Sequence, residues 1–349
     1  MHSAYITGTG IISPQLTWDV ENLSDPKIFG GNRLTCIEPD YSQWLDVKQM
    51  RRMSRVMKMG TAAAKLALQN AGVAVPDAIL TGTGLGCLED TGNFLEKMIE
   101  LKEDSLNPTP FIQSTHNTIG SHIAFLLQCL SYNQTYSHGA FSFESALLDG
   151  LLQLSEKPDL KILVGAADEI TNRSHVILNR FGIFKKQNDN SLDIFKTKSK
   201  GTLHGEGSAW FVLSNQADES KIKVEGVTTL YRPENIALEI EKFIARHNLK
   251  PTDLDLVLSG KSGDYRFDDE MESVVLKIFP LNAVGVFKHL CGEYFTASSF
   301  SFWLAYSILK SGHVPPVVLE RGSVAVPKRV MIYNRYLQDH HSLILLSKE

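Results

Sequence analysis

Two segments of this chain read as helices with no side to offer to water. FSFESALLDGLLQL (141–154) and TASSFSFWLAYSILKSG (296–312) are apolar almost all round. A helix of that kind must be covered on every face. Each also sits at the same place in a repeated order of elements. The first half reads as strand AYITGTGII, helix RVMKMGTAAAKLALQNAG closed by Gly72, strand AILTGTGLG, helix NTIGSHIAFLLQCL, short strand NQTYS, the apolar helix, then strands KILVGAADE and SAWFVLS. The second half reads as KIKVEGVTTL, NIALEIEKFIARHN, LDLVLSGKSG, DDEMESVVLKIF, NAVGVFKHL, the second apolar helix, then VPPVVLE and HSLILLS. A five-layer αβαβα sandwich built from two duplicated halves, with one apolar helix from each half between two sheets, satisfies this pattern. The polar turn NQADESK (215–221) places the boundary, giving halves 1–215 and 216–349. The stretch KQNDNSLDIFKTKSK (186–200) reads as an exposed loop.

Composition narrows the function. A chain of 349 residues is long enough for two fused subdomains. A formal charge of −4 gives no reason to expect nucleic acid or a membrane surface. No apolar run is long enough to span a bilayer. The opening residues, MHSAYITGTGII, read as a first strand and not a signal peptide. Cys36, Cys87, Cys129 and Cys291 are widely spaced, which fits a reducing cytoplasm without a disulfide framework or a metal site.

Several segments carry a specific likeness. YITGTGIISP, RRMSRVMKMGTAAAKLALQNAG, STHNTIGSHIA and GTLHGEGSAWFVLS occur in this order. Over nearly the whole chain this resembles the β-ketoacyl synthase branch of the thiolase-like fold. The resemblance implies an enzyme that takes an acyl group from acyl carrier protein onto a cysteine at the start of a buried helix. Two histidines then help decarboxylate malonyl-carrier protein. It implies no cofactor of the chain's own, since acyl chains ride on the carrier's phosphopantetheine.

The reacting side chains depart from that pattern. Ser137 falls at the cysteine position, with His138 beside it. A serine hydroxyl needs an adjacent base to act as nucleophile, and otherwise suits a helix start or turn. In KHLCGEYFTA, Lys288 and Gly292 match the family's Lys-x-x-x-Gly-His-x-x-Gly-Ala, and Glu293 takes the histidine's place; a displaced role for His289 is the alternative. In SGKSGDYRFDDEME, Lys261 takes the other histidine's place, while Asp269 and Glu272 keep the spacing of the family's acidic pair. Because the two histidines of the family face one site, Lys261 and Glu293 are expected to form a buried ion pair. The family's Gly-Phe-Gly-Gly turn is replaced by Arg335-Tyr336-Leu337-Gln338, whose bulk should stiffen it and fill space.

Ketosynthase-like proteins without the cysteine resemble chain-length factors. That likeness implies pairing with an active ketosynthase subunit, or a homodimer, through the NQTYS strand. It puts Phe111, Gln113, His116, Thr118 and His138 at the subunit boundary or the partner's acyl tunnel, and the alternative is plain interface core. Lys48, Arg51 and Arg52, in a cluster with Arg55 and Lys58, are candidates for docking the acidic carrier protein, against a solvated helix face. The pathway implied is type II fatty acid or polyketide synthesis, with aryl polyene or flexirubin-type pigments as one branch. Two other readings stay open: an acyltransferase or hydrolase using Ser137, and a non-catalytic acyl-binding homodimer.

Overall fold

The computed structural model describes residues 4–19, 23 and 25–349, so Met1–Ser3 of the expected opening strand lie outside the described residues. Strand β1 (Ala4–Ile12) is followed by β2 (Arg33–Leu34), α1 (Val47–Met50), α2 (Arg55–Ala71), β3 (Ala78–Gly82), α3 (Leu88–Glu100), α4 (Pro108–Gln113), α5 (Thr118–Leu127) and β4 (Tyr132–Tyr136). Then come α6 (Ser142–Glu156), β5 (Ile162–Asp168), α7 (Asn172–Arg180), β6 (His204–Gly205) and β7 (Gly207–Ser214). After the 215–221 turn the chain forms β8 (Ile222–Tyr231), α8 (Ile236–Arg246), β9 (Leu256–Ser259), α9 (Tyr265–Ile278), β10 (Ala283–Val286), α10 (Lys288–Cys291), α11 (Ala297–Ser311), β11 (Leu319–Arg321), β12 (Arg329–Tyr336) and β13 (His340–Lys348).

Two sheets were expected. Eleven of the strands instead hydrogen-bond as one series, β11-β10-β9-β12-β13-β8-β1-β7-β5-β3-β4, and β2 pairs with β6 apart from them. The join is slight. β1 meets β8 only at Ala4↔Val224 and Tyr5↔Lys223, whereas it pairs with β7 along nearly its whole length. The apolar clusters show the layering. α6 and α11 share one central core with strands of both halves, in which the Phe143, Phe211 and Phe302 ring centroids lie 4.6–5.9 Å apart. α2 and α5 cover the outer face of the first-half strands, and α8 and α9 cover that of the second. The approach of α2 to β1 needs glycine: a Cβ at Gly10 would stand 2.1 Å from the Ala63 carbonyl oxygen.

The two apolar helices differ in a way their sequences do not reveal. Every residue of α11 from Ala297 to Leu309 is buried, as expected. α6 buries only one side this fully, and Leu148 and Leu152 stay exposed next to β4. β4 is the last strand of the series, bonded to β3 alone. Phe125 on α5 is 75% exposed, and Leu130, just before β4, is 100% exposed. The apolar face of α6 therefore continues into a sheet edge that the described residues leave uncovered.

Candidate functional site

The segments that carry the family's reacting groups converge where the first-half strands meet the start of α11. Asp168, at the end of β5, ties the halves together. One carboxylate oxygen accepts hydrogen bonds from the Thr83 hydroxyl (3.0 Å) and the Gly84 N–H (2.8 Å). The other accepts from the Thr296 N–H (3.1 Å) and hydroxyl (2.8 Å). The pattern thus replaces a family glycine with Thr296 and uses its hydroxyl as a clasp.

The cavity here is nearly closed. Its volume is about 30 Å³, and its lining includes Leu88, Asp168, His204, Glu293, Phe295 and Tyr336. That is room for a water or two, against the several hundred Å³ of a site for a small organic ligand. Phe295 and Tyr336 fill it. Their rings stack with centroids 4.8 Å apart, and Phe295 lies so close to Gly84 that a Cβ there would come within 2.4 Å of it. Sequence reasoning placed Tyr336 in a stiffened turn but missed Phe295, which occupies an unspecified position of the Lys-x-x-x-Gly-His-x-x-Gly-Ala pattern. The aromatic pair Tyr294–Phe295 directly after Glu293 was the available signal.

Glu293 does not meet Lys261. It accepts a hydrogen bond from Lys288 Nζ at 2.7 Å, and Lys288 also donates to the Arg335 carbonyl at 2.6 Å. Both side chains are buried. Burial raises the Glu293 pKa, and Lys288 only partly offsets this. Its second oxygen is buried without a partner. Lys261 turns elsewhere, to Glu320 at 2.7 Å and Glu272 at 3.2 Å, with its ammonium 5.7 Å from the Phe195 ring centroid. The expected pair is therefore corrected: a lysine is long enough to leave the position of a shorter imidazole and find carboxylates on β11 and α9.

The acidic pair is corrected too. Asp268, not Asp269, is the buried acid, accepting from the N–H groups of Ser262 (2.9 Å) and Gly263 (2.7 Å). Asp269 lies at the surface, bridged to Lys198. Arg335 pairs with Glu270 at 2.8 Å, and Leu337 holds a left-handed backbone, φ +50°. His289 is buried, donates to or accepts at no cavity group, and lies 2.9 Å from the Val317 carbonyl; burial lowers its pKa to about 4.

At the nucleophile corner Ser137 is exposed, and its hydroxyl reaches only the Gly84 carbonyl, at 3.5 Å. His138 Nδ1 lies 3.3 Å from the Ser145 hydroxyl. Hence, among the described residues, no base is hydrogen-bonded to Ser137. Two groups not singled out by sequence stand at the cavity. His204 Nδ1 faces His175 Nδ1 at 2.9 Å beneath the Phe184 ring, and burial lowers the His204 pKa to about 3. Glu169 is pushed up to about 8 by burial, although it accepts from the Glu89 N–H.

Of the boundary residues, Phe111 is exposed on α4 and Gln113 donates to the Arg52 carbonyl. His116 lies against Gly86, and the Thr118 hydroxyl bonds back to the Gln113 carbonyl. Lys48, Arg51 and Arg52 are exposed and make no ion pair among the described residues. Arg55 is withdrawn from that cluster, held by Glu206 and Glu38. Among the described residues no three His, Cys, Asp or Glu side chains gather to hold a metal, and no helix is long and apolar enough to cross a membrane. All four cysteines are free and buried.

The family model for the β-ketoacyl synthase N-terminal domain matches residues 35–179. Three solved structures are similar throughout. The ishigamide ketosynthase/chain length factor superposes with a TM-score of 0.82 at 16% identity, covering 100% of this chain and 99% of that one. A β-ketoacyl synthase from Burkholderia phymatum gives 0.81 at 14% identity, covering 100% of both. The ketosynthase ApeO in complex with its chain length factor ApeC, from Xenorhabdus doucetiae, gives 0.78 at 14%, covering 100% and 98%. No curated protein matches the sequence. The fold is the thiolase-like fold of ketosynthases, and residues 35–179 are similar to the β-ketoacyl synthase N-terminal domain.

Proposed function

We propose that this chain is the non-condensing subunit of a ketosynthase pair, a partner of chain-length-factor type for an active β-ketoacyl-carrier-protein synthase. The observation that carries this is the 30 Å³ cavity plugged by Phe295 and Tyr336. Neither a phosphopantetheine arm nor an acyl chain fits there. A thiolate is missing at Ser137, and a buried carboxylate stands where an imidazole would donate to an enolate. The uncovered edge of β4, with Phe125, Leu130, Leu148 and Leu152 around it, supports a partner of the same fold that continues the sheet. Phe111 and the residues up to Thr118 then face that partner. The acyl groups handled are those of type II fatty acid or polyketide assembly, carried on acyl carrier protein.

The test is to express the chain with and without an active β-ketoacyl-carrier-protein synthase from the same organism. The pair is expected to purify as one complex and to extend an acyl chain on carrier protein. The chain alone should make no carbon–carbon bond. Condensation by the chain alone, or covalent acylation that Ser137→Ala abolishes, would overturn the proposal.

A further inference from the structure

α3 turns its apolar residues the wrong way for a helix held by packing. Leu95 and Ile99 are exposed, and the one residue of α3 that is fully buried is Asp90, whose Oδ2 has no partner among the described residues. A surface helix is ordinarily held down by an apolar face. α3 instead packs chiefly on α4, where the Phe94 and Phe111 ring centroids lie 5.1 Å apart. α4 in turn buries no residue of its own.

A polar clasp takes the place of packing. Glu89, Asn93 and Glu96 share one face of α3, and the Arg173 guanidinium of α7 lies across it. Its Nη1 donates to the Asn93 side-chain oxygen at 3.3 Å and stands 3.6 Å from the Glu89 carboxylate, while Nη2 donates to Glu96. Gly92 makes room for it, since a Cβ there would come within 2.8 Å of Nη1. The two ends of the α3–α4 pair meet. Gly86 holds φ +66°, and a Cβ on it would stand 3.0 Å from the His116 Cα. The Thr91 hydroxyl also donates to the Ser114 carbonyl at 3.3 Å. Leu85, Gly86 and Leu88 line the cavity from the α3 side, and Ser174 and Leu178 line it from α7. Arg173 therefore bridges the seam between two walls of the cavity.

We propose that α3 and α4 form a lid, hinged where Gly86 meets His116 and held shut by Arg173, and that the cavity exchanges with solvent through the seam between α3 and α7. Opening lifts the first turn of α3 off Glu169, which accepts the Glu89 N–H at 3.1 Å in the closed lid. It leaves Phe295 stacked on Tyr336. Ionic contacts between half-exposed side chains hold weakly and are screened by salt, which suits a part that opens while the body stays folded. The lid belongs to the chain alone and does not rest on the function proposed above.

Cys87 reports the motion. It precedes the first turn of α3 and is wholly buried, and burial raises its thiol pKa, so N-ethylmaleimide reaches it when the lid lifts. The full chain is labelled at pH 8, and the rate at each cysteine is read by mass spectrometry of its peptides. Cys87 is expected to react well before Cys291, which lies in the central core. Arg173→Gln should speed the reaction of Cys87 about threefold to tenfold and leave Cys36 and Cys291 as they were. Raising NaCl from about 0.05 M to about 1 M, where charges are screened within about 3 Å, should speed Cys87 in the unaltered chain and much less in the variant. Glu96→Gln removes one clasp partner and should give a smaller rise; it also serves if Arg173→Gln does not fold. Cys87 reacting no faster than Cys291, equal Cys87 rates in the parent and both variants, or a rise shared by all four cysteines overturns the lid.

Discussion

The second-half corner of the cavity and the sheet edge of the first half treat their charged and apolar side chains in opposite ways. At the corner each replacing group is buried or nearly so and carries an ionic partner: Lys288 with Glu293, Lys261 with Glu320, Arg335 with Glu270. At the edge Ser137 and His138 are exposed and only loosely bonded, and large apolar side chains around β4 are uncovered. A charge taken into the interior must bring its counter-charge, so the corner is closed as an interlocked set. An exposed serine requires no such compensation. On the function proposed above, the closed corner takes no substrate, whereas the open edge binds another protein.

The largest effect is expected at the corner. Lys288→Met strands Glu293 in the interior and should cost roughly 3–5 kcal/mol of stability, read as a shift of the urea midpoint at pH 8. At pH 5 the loss should be smaller, because a carboxyl whose pKa is already raised accepts a proton in place of its lost partner. Lys288→Met with Glu293→Gln should recover most of the loss. A single variant as stable as the parent at pH 8 would show that the pair is not what closes the corner.

At the edge the expectation reverses. Leu130→Lys with Leu152→Lys adds two charges to an uncovered apolar face. The chain's own stability should stay within about 0.5 kcal/mol, while association with the ketosynthase falls by about a hundredfold or more, roughly 2.7 kcal/mol. Undiminished association, measured by analytical ultracentrifugation of the mixed subunits, would remove β4 as the interface and with it the contrast between the two regions.

The outlines of both regions were legible in the sequence because they rest on local pattern. Apolar periodicity gave α6 and α11, and motif spacing gave Ser137, Lys288 and Glu293. The partners were not legible. Lys261 reaches Glu320, 59 residues further on and in no motif, because a flexible four-carbon stem lets the ammonium choose among carboxylates that only the fold brings near. Phe295 was hidden for another reason: the pattern sets no requirement at its position, so its bulk carried no warning. The buried acid was misassigned to Asp269 because adjacent helical residues point about 100° apart, and spacing alone does not say which faces inward.

A smaller effect separates the corner's carboxylates by pH. Glu169 has its pKa raised to about 8 by burial, against an ordinary 4.5. Between those values the folded chain holds a proton that the unfolded chain has released. Stability therefore falls as pH rises from about 4.5 to about 8, and this contribution levels off above that. Glu169→Gln cannot ionise and should flatten that part of the profile, with the gain over the parent greatest at pH 8 to 9. Parallel profiles for parent and variant, from urea midpoints at five pH values, would mean that Glu169 is ionised in the folded protein at neutral pH.

The smallest expected effect lies in the turn beside the plug. Leu337 holds φ +50°, a conformation that costs an ordinary L-residue about 1–2 kcal/mol and glycine very little. Glycine gives part of that back through the greater freedom of its unfolded chain. Leu337→Gly should therefore stabilise the protein by roughly 0.5–1 kcal/mol, visible as a small rise in Tm. Because Tyr336 stays stacked on Phe295, the gain should come with no new condensing activity in the chain alone. A Leu337→Gly variant that loses stability would show that the leucine side chain contributes more packing to the closed corner than its backbone strain takes away.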